Sequence, residues 1–156
     1  DEARRLTRER DFAGALASAD AIAAPGPRAV ARTETVWAAG DPFRALEIAV
    51  EGLGAAPGDL ALTRLAVDLA LVVGAARTAM ERLVELRERV AGDEVDSDVR
   101  AWWETEIDRL GAATMEAASR ANELDAALSG ARRVSVLAAL AAAAVAAWAL
   151  RRPAAV

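Results

Sequence analysis

The sequence has no cysteine, histidine, tyrosine or lysine. No disulfide can form, so cysteine usage carries no information on redox compartment. Thiol nucleophiles, imidazole bases, Schiff-base lysines and the His or Cys ligands of zinc are excluded with them. Aromatics are scarce, at 4% of 156 residues, and the net charge of −5 leaves no basic stripe for nucleic acid. Only carboxylate chemistry remains. Glu47 and Glu51 stand at i,i+4 spacing, as do Glu81 and Glu85. Such pairs are usually solvated helix faces, and no convergent acid, base and ligand set accompanies them. The sequence therefore predicts no catalytic residue, no metal ligand, no cofactor and no small-molecule substrate.

What is present is alanine, leucine, arginine and glutamate, within an apolar fraction of 54%. Alanine loses no side-chain entropy in a helix, and straight-chain residues lose little. The expected class is all-α. Reliance on arginine alone for positive charge points to a GC-rich bacterial genome. The chain opens on Asp1, and its first eleven residues are charged, without the apolar core of a signal peptide.

Apolar positions at Phe12, Ala15, Leu16 and Ala19 recur with a helical period. Pro25-Gly26-Pro27 is expected to end that helix, because proline cannot continue the hydrogen-bond ladder. A second helix is expected from Arg28 to Ala39. Gly40-Asp41-Pro42 then supplies a turn, an N-cap and a first helical position. Further helices are expected over Phe43–Ala55, Leu60–Val73 and Ala75–Val90, with Asp59 capping the middle one. Connections this short make neighbouring helices antiparallel.

Gly40 and Gly74 lie 34 residues apart, and Ala45 and Ala79, and Ala49 and Leu83, share that offset. With Leu46, Leu53 and Pro57, these residues make the chain resemble the tetratricopeptide repeat family, whose unit is a helix pair of about 34 residues. Gly52 stands where that family has a small alanine. Phe12, Ala15 and Leu16 resemble the second helix of an earlier, shorter unit. The resemblance covers roughly residues 10 to 90 and implies helical hairpins stacked into an array that contacts other proteins through its concave face. The lysine-dependent carboxylate clamp of some relatives has no counterpart here. Apart from the family name, a single hairpin cannot bury its apolar face, so neighbours must stack.

Three regions follow: a repeat domain over 1–92, a long amphipathic capping or stalk helix over 93–130, and a C-terminal segment over 131–156. The long helix is expected to start at the Asp96-Ser97-Asp98 cluster. A seam spaced by fours and threes runs through Trp103, Ile107, Leu110, Thr114, Ala117, Ala121, Leu124 and Leu128. It reads either as the face that packs on the array or as a coiled coil with a partner or a second copy. Trp102 and Trp103, about 100° apart on a helix, are expected to divide between an exposed partner anchor and the core.

Val134 to Leu150 is uncharged between Arg132-Arg133 and Arg151-Arg152. It is expected to be a single transmembrane helix, with Trp148 at the interface. Ala138, Ala142 and Ala146 form a small-residue stripe suited to packing against other membrane helices. The expected placement is a bacterial cytoplasmic membrane, with the repeats on the cytoplasmic side, or periplasmic if a signal peptide was removed. The expected role is a non-catalytic subunit that scaffolds a larger membrane protein complex, of respiratory, photosynthetic or secretion type. Its contacts would be other subunits and the lipid bilayer. The alternatives are a free tail-anchored adaptor that binds a protein or peptide reversibly and, further off, a carboxylate-dependent enzyme.

Overall fold

A computed structural model describes residues 2–92 and 95–150, with side chains throughout except at Asp98 and at most positions from Gly130 onward. Among the described residues every regular element is an α-helix: α1 (Glu2–Arg8), α2 (Phe12–Asp20), α3 (Pro25–Ala38), α4 (Pro42–Ala55), α5 (Leu60–Val72), α6 (Ala76–Ala91) and α7 (Ser97–Leu150). Each helix from α1 to α5 packs on the next, and α3 also meets α1 and α5. This is the neighbour pattern of stacked hairpins, α1/α2, α3/α4 and α5/α6.

The hairpin turns share one construction. Arg10, Gly40 and Gly74 all have positive φ, at 64°, 96° and 76°. At each, the turn residue donates its N–H three residues back and the following residue donates five back: Gly40 to Trp37 and Asp41 to Val36, Gly74 to Leu71 and Ala75 to Ala70, Arg10 to Thr7 and Asp11 to Leu6. These bonds satisfy carbonyls that a helix end leaves free. Asp11 and Asp41 then cap the next helix, their carboxylates accepting from the Gly14 and Arg44 amides at 3.0 and 2.9 Å. Five and nine residues beyond each turn residue lie Ala15 and Ala19, Ala45 and Ala49, and Ala79 and Leu83, all buried. The alanines at five of these six positions let the paired helices approach closely. Arg10 thus holds the place that glycine takes in the other two turns. The left-handed region costs a side-chain-bearing residue about 1–2 kcal/mol, and glycine surrenders part of that gain through its own chain entropy. Arg10→Gly should therefore raise stability by about 0.5–1 kcal/mol, read as a higher urea midpoint at unchanged slope.

One boundary departs from expectation. Pro25-Gly26-Pro27 is the first turn of α3, not a break after α2, which already ends at Asp20. Proline fits there because first-turn amides have no intrahelical acceptor to lose.

The core has two parts that share α5. Leu62, Ala66 and Leu69 join Ala29 of α3 and Ala45, Ala49 and Leu53 of α4. Val67 and Ala70 join Ala79, Leu83, Leu86 and Val90 of α6 and Trp103, Ile107 and Leu110 of α7. The chain divides into two units, Asp1–Ala118 and Ser119–Val156. The first includes the opening turns of α7, which cover the last hairpin. In the second, every residue from Ser119 to Ser129 is exposed.

The expected transmembrane helix is corrected. Among the described residues no helix is long and apolar enough to cross a membrane. The single-pass placement in a bacterial cytoplasmic membrane falls with it. The reason lies in the run itself: 17 residues from Val134 to Leu150, nine of them alanine. That length makes about 25 Å of helix against a hydrocarbon core of about 30 Å, and alanine contributes a single methyl to transfer. Ala138 is exposed. Ala142, Ala146 and Trp148 lie outside the described side chains, and Arg151 and Arg152 outside the described residues.

Candidate functional site

The strongest polar cluster lies where α7 crosses α5. Arg64 of α5 reaches Glu106 of α7 at 2.6 Å and Asp68 of its own helix at 3.6 Å. Arg109 of α7 reaches Glu106 at 2.8 Å and Asp68 at 3.1 Å. Two arginines and two carboxylates alternate, so each charge has two opposite neighbours. The carboxylates are the sheltered members, their side chains 17% and 14% exposed at Asp68 and Glu106. Hydrogen bonding from Arg109 holds the Glu106 carboxyl below the ordinary carboxylate range, against the opposing effect of burial.

That shift has a pH signature. A carboxyl with a depressed folded value stabilises fully above its unfolded value of about 4.3 and loses the effect as pH falls through the folded value. Glu106→Gln should cost about 1 kcal/mol at pH 7 in low salt, since the arginines are partly screened. The difference from the parent should shrink as the pH falls below the ordinary carboxylate range and the carboxyl takes up its proton. Urea midpoints for both proteins across pH 3–7 would check this; a gap that persists in acid would show that the loss is packing rather than charge.

Trp102 sits on this cluster. The residue is 53% exposed. It makes an edge-to-face contact with Trp103, centroids 4.8 Å apart, and the Arg64 guanidinium lies 6.0 Å from its centroid. Trp103 is buried with Ile107 and Leu110. The tryptophan pair therefore divides as the 100° offset requires. Sequence reasoning did not single out Arg64, Asp68, Glu106 or Arg109. The spacings 64/68 and 106/109 mark pairs within each helix, but the cross-links need the α5–α7 crossing.

A groove of about 510 Å³ lies between α1, the end of α2, the start of α3 and the start of α5. It is lined by Ala3, Ile22, Pro27 and Val30 together with Glu2, Arg4, Glu34 and Asp59; Glu34 pairs with Arg4 at 2.8 Å, Glu2 pairs with Arg5, and Asp59 caps α5. Among the described residues no group of three or more acidic side chains is placed to hold a metal ion. Glu47, Glu51 and Glu81 are exposed and Glu85 partly so, with Glu47 and Arg44 paired at 2.6 Å and Glu85 and Arg82 at 2.7 Å.

No family model, no curated protein and no solved structure matches the chain.

Proposed function

We propose that this chain is a non-catalytic protein–protein interaction module, a helical-repeat scaffold of tetratricopeptide-like type that holds a partner within a larger assembly. The observation that carries the reading is Trp102. A large, stiff, amphipathic ring stands exposed at a helix crossing, in contact with Trp103 and Arg64. Tryptophan and arginine are enriched among the residues that dominate protein interfaces, and a tryptophan ring buries a large area with only two torsions to fix. The charge quartet beneath keeps the ring's surroundings polar, as the rim of an interface is. The 34-residue offset, with glycine turns and buried apolar residues in equivalent places, supports the repeat type.

The test is native electrophoresis of extracts containing the full chain, with Trp102→Ala set against Phe43→Ala. Phe43 is as exposed as Trp102 but stands alone at the start of α4. Trp102→Ala should move the chain from a large discrete band to its free position, a loss of tenfold or more in affinity for an anchor worth about 2 kcal/mol. Phe43→Ala should leave the band in place. A band that survives Trp102→Ala unchanged overturns the reading.

A further inference from the structure

The apolar seam of α7 continues past the residues that the last hairpin buries. Its spacing of fours and threes runs on through Ala121, Leu124, Leu128, Ala131, Ser135 and Ala138, and all six are exposed. Leu124 and Leu128 are the two exposed leucines among the described side chains. Covering Ser135 would leave no orphan, because its hydroxyl donates to the Ala131 carbonyl at 3.0 Å. The charges flanking the seam select its occupant. Numbered as a heptad, Ala121 and Leu128 are a, Leu124 is d, Arg120 is g and Asp125 is e. In a parallel, in-register pair of helices, each g residue faces the e residue five positions on in the other strand. Arg120 of one copy then meets Asp125 of the other, and symmetry makes the contact twice. Antiparallel pairings give no such match. Setting Ala121 opposite Leu124 places Arg120 against Ala127 and Asp125 against Ala118. Setting Leu124 opposite Leu128 places Asp125 against its own copy.

We propose that this face is a homodimer seam, in which two copies of the chain pair α7 with α7, parallel and in register, from Ala121 to Ala138. That length is about 26 Å of helix. The layers at Leu124 and Leu128 supply the apolar contact, and the alanine and serine layers let the backbones approach closely. Arg120 already has a contact within its own chain. Its guanidinium carries five N–H donors and can serve a second carboxylate, as Arg64 and Arg109 each serve two. With two leucine layers the dimer is weak and forms as concentration rises, so a urea midpoint taken on dilute chain reads the monomer alone. The inference is independent of the Trp102 reading and extends it, since a dimer carries that exposed ring twice.

The experiment is sedimentation equilibrium of the full chain, the Arg120→Glu variant, the Asp125→Arg variant and an equal mixture of the two variants. The parent should pass from monomer to dimer between about 1 and 100 μM. Each variant alone should dimerise about tenfold or more weakly, because like charges then face each other at both flanks. The mixture should recover the parent affinity, since the mixed pair sets opposite charges against each other at both contacts. Orientation is read by oxidation, which a chain without native cysteine makes specific. Ala121→Cys should cross-link to its own copy, and Ala126→Cys, on the outer face, should not. A parent that stays monomeric throughout that range overturns the proposal. So does a mixture that pairs no better than either variant alone. Cross-linking of Ala121→Cys to Leu124→Cys, but not to itself, overturns the parallel arrangement and with it the Arg120–Asp125 contact.

Discussion

Leu110→Ala is expected to lower stability by about 2–5 kcal/mol, the cost of deleting a fully buried leucine that its neighbours cannot collapse onto. Leu110 has no exposed surface and packs with Val67 and Ala70 of α5 and Leu83, Leu86 and Val90 of α6. It is the point at which the opening turns of α7 close the last hairpin. In a stacked array each layer is held by its neighbours, so the loss should appear first at that end. Amide exchange in α7 up to Thr114 should accelerate more than in α3 or α4. Leu124→Ala is the matched control, identical chemistry on the same seam. Leu124 is 65% exposed, and its loss should fall within about 0.5 kcal/mol. Urea denaturation followed by tryptophan fluorescence measures both. Equal effects would mean that Leu124 is covered in solution and that the seam has a partner along its whole length.

That contrast shows how far the sequence could be read. The seam from Trp103 to Leu128 is one uninterrupted spacing of fours and threes. Periodicity reports which residues share a helix face, not whether anything faces them. Its first four members are buried, Ala117 is intermediate, and Ala121, Leu124 and Leu128 are exposed. The turns were legible where glycine marks them, at Gly40 and Gly74. The first turn was hidden because Arg10 adopts the same left-handed geometry without the residue that signals it. Pro25 and Pro27 misled for the opposite reason, since proline marks a helix start as readily as a helix end. At the C-terminus an uncharged run between arginine pairs looked like a membrane span. Length and alanine content weigh against it, as no described helix meets the requirement. The cluster of Arg64, Asp68, Glu106 and Arg109 joins residues 41 and 42 positions apart. No local pattern could have found it; Trp102 alone announced that corner.

Gly52→Ala should destabilise the protein, against the preference of the helix that contains it. Within α4 the exchange gains about 1 kcal/mol of helix propensity. The gain is outweighed by packing. A Cβ at Gly52 would fall on the Ala29 methyl of α3, with the Leu62 Cδ2 of α5 at 3.0 Å. The Ala29 methyl has no torsion with which to retreat, so α3 and α4 must separate, and overpacking of this kind costs about 1–3 kcal/mol. Gly54, two residues on in the same helix, meets nothing within 4 Å. Gly54→Ala therefore keeps the propensity gain and should stabilise, so the two substitutions move the urea midpoint in opposite directions. Ala29→Gly combined with Gly52→Ala should recover much of the loss, because the double variant restores the spacing by removing the methyl on the other side. If Gly52→Ala stabilises as Gly54→Ala does, the close approach of α3 and α4 is not present in solution. If the double variant shows no recovery, the strain lies against Leu62 and α5 instead.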